Sequence, residues 1–334
     1  MKRIPPAMMI MMISVLFYYG CNLFVKETDD FDLNDTVRIA IGEKLYENER
    51  LWLRLDKITF DSRCPAGMAS EPAGHVEGQF TAGGWGDTET LAFRTDSVNS
   101  ISFMVPFEGG DIGGGNYFIL HIIKVNPLKP DDETAIPKKD YRIDFVIESG
   151  MVARKPNIYL YPKKTLKLDV SLFFPHGGEV IESDPQYPGD WINIKVRPDG
   201  SIDRKYGYLF YEAAVPDLWQ YSEGWVVKQD ILPLFFRSNL EAYGFNKTEI
   251  KDFMDHWIPL LNTAPYYAIY PQHTANVNYA VKLRISERPD ALLRLFYIID
   301  EIQEKFVLPE ADIPEFERSG FTLTEWGVVL NQLK

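Results

Sequence analysis

Residues 154–164 read Arg-Lys-Pro-Asn-Ile-Tyr-Leu-Tyr-Pro-Lys-Lys, RKPNIYLYPKK, a short aromatic strand with proline and basic residues at both ends. Successive side chains of a strand point to opposite faces. Tyr159 and Tyr161 therefore share one face and Ile158 and Leu160 the other, and the Ile158–Leu160 face is expected to be the buried one. Proline cannot donate to a ladder but can begin an edge strand. Lys155-Pro156 accordingly reads as the entry to an edge strand that opens a second domain, residues 154–334.

Upstream, over residues 36–150, the chain consists of short alternating runs such as LWLRLDKITF, HVEGQFTA and NYFILHIIKV, separated by glycine- and proline-rich spacers. Leu51, Leu53 and Leu55 alternate with Trp52 and Arg54, the period of a half-buried strand. A small β-sandwich or barrel follows from that pattern. Downstream of residue 154 the aromatic content rises. NIYLYP, LKLDVSLFF, WINIKVRPDG, YGYLFYEAAV, YYAIYP, NYAVKLRIS and LLRLFYII read as strands.

Two helices stand among them. Asp230 is placed to cap the first, in which Leu232, Phe235, Phe236, Leu240 and Tyr243 recur at helical spacing until Gly244. Asn246 and Glu249 form a capping-box start to the second, whose Ile250, Phe253, Met254, Trp257 and Leu261 make one apolar stripe and whose Pro259 should kink or shorten it. The fold class predicted is mainly β, of the α+β type: a small N-terminal β-sandwich or barrel, then a larger antiparallel-sheet domain with a helical pair.

With 334 residues, 46% of them hydrophobic, the chain can bury a large core. Its formal net charge of -13 excludes a nucleic-acid backbone as the main partner. Aromatic residues without basic patches point instead to a glycan or protein ligand. The N-terminus has Lys2 and Arg3, the apolar run AMMIMMISVLFYY, then Gly20 and Cys21. This is the layout of a signal peptide, residues 1–20, with an apolar run too short to span a bilayer as a mature helix. The cysteine behind it resembles a bacterial lipoprotein signal, which implies lipidation of Cys21 and attachment to a membrane of the cell envelope, in the outer membrane on its periplasmic or surface face. Tyr18 stands where such signals usually place leucine. Residues 21–35, rich in aspartate, read as an acidic tether.

Two further resemblances rest on motifs. ITFDSRCPAGMASEPAGHVEGQF, with YFILHIIKVNPLKP and KKDYRIDFVI, is similar to a small DSRCP-type β domain of bacterial lipoproteins. Ser70 occupies the position of that domain's second cysteine, so a local disulfide is impossible and Cys64 is left without a local partner. Then KPNIYLYP, WINIKVRPDG, YLFYE, GWVVKQD, DFMDHWIPLL and FERSGFTLTEWG, in that order, resemble an uncharacterised family of bacterial secreted and surface proteins over nearly all of residues 154–327. The resemblance implies a domain and a location without naming a reaction.

Candidate chemistry is sparse. EGGDIGGGN, residues 108–116, lacks the Lys-Ser/Thr of a phosphate loop, and no HExxH or paired-cysteine pattern supplies a metal site, so no cofactor or metal is expected. Asp252 and His256 are one helical turn apart, a spacing that could orient an imidazole as a general base or offer two metal ligands without a third, although a solvated helix face is the plainer reading. Glu212 with Asp252 or Glu325 could form the acid pair of a glycosidase, with Trp219, Trp225 and Trp326 as sugar-stacking surface, and an envelope glycan- or peptide-acting hydrolase could use Glu212 with Asp252 or His256. Serine catalysis lacks a GxSxG elbow, for YSEGW has only a superficial likeness to it. The balance favours an envelope lipoprotein with a binding or structural role over an enzyme.

Overall fold

The computed structural model describes residues 30–47, 51–64, 74–84, 88–96, 100–106, 115–129 and 135–331. The signal peptide, Cys21, Ser70 and most of the 108–116 glycine loop lie outside these residues. Within them, seventeen strands and three α-helices are defined. The first part contains β1 (Val37–Ala40), β2 (Lys44–Glu47), β3 (Leu51–Asp61), β4 (Val76–Gly83), β5 (Thr88–Arg94), β6 (Ser100–Pro106), β7 (Gly115–Asn126) and the opening half of β8 (Arg142–Tyr161). It continues with β9 (Leu166–Phe173), β10 (Glu179–Asp184), β11 (Asp190–Val196), β12 (Leu209–Pro216), β13 (Trp225–Lys228), α1 (Leu232–Tyr243), α2 (Lys247–Trp257) and β14 (Tyr266–Gln272). The last elements are α3 (Thr274–Ala280), β15 (Lys282–Ile285), β16 (Ala291–Ile302) and β17 (Thr322–Asn331). The mainly β, α+β class expected from the sequence is the class observed.

The alternating strands upstream form a sandwich. One layer is the antiparallel sheet β2-β3-β4-β5; the other is made by β1, β6, β7 and the first half of β8. Leu51, Leu53 and Leu55 turn inward from β3, and Ile143, Phe145 and Ile147 turn inward from β8, all of them buried in one core. At the far end of β3 the Asp-Ser-Arg segment acts as a strap. Arg63 pairs with Asp61 at 2.7 Å and donates from Nη1 to the carbonyl of Val125 at 2.6 Å, while the Tyr141 hydroxyl donates to Asp61 at 3.0 Å. Burial, then the Asp61 carboxylate, pushes the Tyr141 phenol up to about 12. Cys64 just beyond is half-buried and carries no disulfide.

The reading of residues 154–164 as an edge strand is corrected by β8, which runs unbroken for 20 residues and is paired on both sides over residues 153–158. Its first half pairs with β1 and β7, and its second half lies between β12 and β17. Pro156 is accommodated there by a bulge, the other place where a strand tolerates a missing N–H. Against β12, residues 154–156 of β8 face only Tyr211 and Glu212; against β17, Lys155-Pro156 face only Gly327. Lys155 takes a φ of 55° to make the bend.

Around the second half of β8 the layers number three. The large sheet runs β10-β12-β8-β17-β16-β14-β13 and is antiparallel apart from the parallel pair β16–β17. One face carries the small sheet β11-β9-β15 with α3; the other carries α1 and α2. Ile158 and Leu160 enter the first core as expected, but Tyr159 is also buried, in the second. With both faces covered, a strand has no exposed side. NYAVKLRIS, expected to be all strand, begins inside α3 and turns to β15 only at Lys282.

The helical pair begins differently at its two starts. Asp230 does not cap α1: Ile231 is at the cap position, proline occupies the first turn, and the Asp230 carboxylate accepts from Lys228 Nζ at 2.8 Å. For α2 the capping box is formed in full. The Asn246 side chain accepts from the Thr248 and Glu249 amides, and Glu249 accepts from the Asn246 amide at 2.7 Å. The helix stops at Trp257, two residues before Pro259.

Candidate functional site

The β8 bulge is where the motif segments meet. KPNIYLYP lies on β8, YLFYE on β12 and EWG on β17, side by side and at one level of the sheet, and DFMDHW lies on α2 above them. The RPDG turn closes the end, its Gly200 at φ 86° packed so tightly on Tyr161 that a β carbon would come within 2.8 Å of the ring. Between these elements opens a cleft of about 550 Å³, with Tyr159, Tyr161, Tyr208, Asn246 and Asp252 in its wall.

Hydrogen bonds fix the orientation of these groups. The Tyr159 hydroxyl donates to Asp252 at 3.0 Å and receives the Asn157 amide at 3.3 Å; Asn246 Nδ2 donates to the Tyr161 hydroxyl at 3.1 Å. The Tyr159 and Tyr208 rings meet edge to face with centroids 5.4 Å apart. Burial raises both the Tyr159 and Tyr161 phenols well above their ordinary value, and nearby carboxylates, Asp252 and Glu249 respectively, add to it. Burial also raises Tyr208, helped by Asp252. With Asp199, Ser201, Lys247 and Thr248 also in its wall, the cleft presents phenols, an amide, hydroxyls and charges of both signs: donors, acceptors and flat apolar faces.

Lys155 carries the charge beside it. Its ammonium lies 4.2 Å from the centroid of the Phe210 ring and 5.4 Å from that of Tyr208. Burial lowers its pKa despite the opposing pull of Glu212, Glu182, Asp184 and Asp252.

The residues chosen from the sequence fall into three groups. Asp252 lines the cleft, and Glu212 sits in the bulge next to it, accepting the Lys155 amide at 3.3 Å with Arg154 Nη1 3.7 Å away. Burial raises the Glu212 carboxyl, against the pull of Arg154. His256 is half-buried, edge-on to Trp257 at 4.9 Å, and held below the usual imidazole value by burial and then by Lys155. Asp252 bonds Tyr159 and not His256, so the helical pair expected from their spacing is not formed.

Glu325 cannot act as the acid partner of Glu212. It is fully buried, ion-paired with Arg294 and hydrogen-bonded by Tyr211 at 2.7 Å. Nor do the tryptophans make a stacking surface. Trp326 is fully buried beneath α2, its Nε1 donating to the Glu249 carbonyl at 3.1 Å; Trp219 is buried in the core on the other face of the sheet; Trp225 packs on Phe235. The tyrosines of KPNIYLYP and YGYLFYE take the place the tryptophans were expected to fill. Their signal was present in those motifs, but alternation assigned Tyr159 and Tyr161 no partner across the strand.

Among the described residues, no three histidine, cysteine, aspartate or glutamate side chains gather as a metal site, and no helix is long and apolar enough to cross a membrane. Comparison with family models, with curated proteins and with solved structures finds no match to the chain.

Proposed function

We propose that this protein is a bacterial cell-envelope lipoprotein, tethered through lipid on Cys21, which binds a neutral, hydroxyl-rich ligand, a glycan, in the cleft beside the β8 bulge. The observation that carries the binding reading is the wall itself: Tyr161 and Tyr208 with Asn246 and Asp252, backed by the buried Tyr159, in a cleft of about 550 Å³. Tyrosine faces suit the apolar faces of sugar rings, and phenols, amide and carboxylate suit their hydroxyls. The net charge of -13 disfavours an anionic ligand. A hydrolase built on Glu212 is the weaker reading, because Glu325 is locked to Arg294 and neither Asp252 nor His256 bonds Glu212.

Binding is tested by saturation-transfer NMR on the full chain against a panel of envelope oligosaccharides. At least one is expected to bind, with Tyr161→Ala and Tyr208→Ala each weakening it about tenfold or more, roughly 1.4 kcal/mol. No binder, or unchanged affinity in both variants, would overturn the reading. The tether is tested separately. Cys21→Ser is expected to abolish metabolic fatty-acyl labelling and to move the protein out of the membrane fraction, whereas continued labelling would remove Cys21 from the proposal.

A further inference from the structure

A second constellation lies outside the tyrosine cleft, on the outer face of the sandwich. β6 and β7 pair so that Ser100 stands directly opposite His121, and β7 and β8 pair so that Ile119 stands opposite Glu148. Cross-strand partners share a face, and so do residues two apart on one strand. Ser100, His121 and Glu148 therefore project together. Ser100 Oγ lies 2.8 Å from His121 Nδ1, and His121 Nε2, shielded from solvent and without a hydrogen bond, lies 3.5 Å from Glu148 Oε2.

This is a hydroxyl within reach of an imidazole that is backed by a carboxylate, the arrangement required of an activated serine. Either ring nitrogen can accept the hydroxyl proton, provided the other carries the ring's own. Here Nδ1 faces the serine and Nε2 faces the acid.

The surroundings fit an acyl substrate. The turn between β9 and β10 lies over the trio and borders an open pocket of about 470 Å³, with Phe173, Phe174, Pro175 and Leu218 in its wall beside Ser100, His121, Glu148 and His176. Gly177 of that turn, at φ 85°, packs against the serine so closely that a β carbon would lie 2.9 Å from Ser100 Cβ. On its other side Ser100 borders a second cleft, about 580 Å³, whose wall includes Glu77, Gln79, Arg94 and Glu179. The hydroxyl is thus placed at the junction of a pocket with one apolar wall, Phe173, Phe174, Pro175 and Leu218, and a more polar one.

The geometry points to a serine esterase site in which Ser100 and His121 are the catalytic residues and Glu148 the positioning residue, acting on a carboxylic ester with an apolar acyl group and a polar alcohol. Ser100 Oγ bonds to the carbonyl carbon as its proton passes to His121 Nδ1. The ester C–O bond then breaks, and the departing alcohol takes that proton, leaving the acyl group on Ser100. Water attacks the acyl-serine, gives a proton to His121, and releases the carboxylic acid as the proton returns to Ser100. Glu148, 3.5 Å from Nε2, offsets the positive charge of the ring while it carries both protons and draws the Nε2–H toward itself as that charge develops.

The test uses the full-length protein with an alkyl fluorophosphonate probe and p-nitrophenyl butyrate. Expected are one covalent adduct mapped to Ser100, loss of adduct and turnover in Ser100→Ala, and a labelling rate about 10²-fold lower in His121→Gln. Glu148→Gln is expected to shift the inflection of the pH–rate profile downward, a change that a purely structural role would not produce. Absence of the Ser100 adduct in the folded wild-type protein would overturn the assignment, as would an equal labelling rate in His121→Gln.

Discussion

Arg294→Met is expected to destabilise the fold by about 3–5 kcal/mol, measured as a lower midpoint in urea unfolding. Arg294 and Glu325 are partners across the parallel pair β16–β17, both fully buried and joined as an ion pair. The guanidinium also donates at 2.6 Å to Asn278 Oδ1 and at 2.6 Å to the Val281 carbonyl, tying the sheet to α3 and to the start of β15. Removing it leaves the Glu325 carboxylate in a dry core with Tyr211 as its remaining hydrogen-bond donor. An uncompensated buried charge costs far more than the pair contributes, so Arg294→Met with Glu325→Leu should recover most of the loss. A loss below about 1 kcal/mol in the single variant would mean that the site admits water.

Glu249→Ala carries the next largest effect, about 3 kcal/mol or more. Glu249 is fully buried at the start of α2, where its carboxylate accepts four hydrogen bonds: from the Asn246 amide at 2.7 Å, the Thr324 hydroxyl at 2.6 Å, and both terminal nitrogens of Arg318 at 3.0 Å. It closes the capping box and also docks α2 onto β17. Alanine removes an anchor for both and leaves the Thr324 hydroxyl and the Asn246 amide short of an acceptor. Because Asn246 orients Tyr161, glycan affinity should fall along with stability. Glu249→Gln retains one acceptor oxygen and should lose roughly half as much in the same urea measurement. Equal stability of wild type and the alanine variant would show that neither the cap nor the docking through Glu249 holds the fold.

These two glutamates show what was legible in advance. Glu249 could be found in the sequence, because a capping box joins residues three apart and needs no knowledge of the rest of the chain. Even there, Arg318 and Thr324 were invisible, since they approach from 69 and 75 residues away. Glu325 was misjudged for the same reason. Beside Trp326 in TEWG it resembled a surface acid next to a stacking ring, and only the neighbour supplied by β16 turns it into half of a buried pair.

Local periodicity was enough to establish the mainly β class, the inward face of Leu51, Leu53 and Leu55, the start of α2 and its end before Pro259, because each depends on backbone preferences over a few residues. What lies on the two sides of a strand depends on pairing and layering, which local pattern does not encode. The same KPNIYLYP could have been an edge strand with exposed tyrosines. Pairing with β12 and β17 made it a central strand, its proline absorbed by a bulge opposite Gly327, with Tyr159 under α2 and Tyr161 in the cleft wall. Ser100, His121 and Glu148, on three strands, became neighbours only through the register of β6, β7 and β8. Sequence alone determined the elements and their apolar faces, while tertiary pairing decided which polar groups meet, because hydrogen bonds between side chains act over about 3 Å and chain distance does not measure that separation.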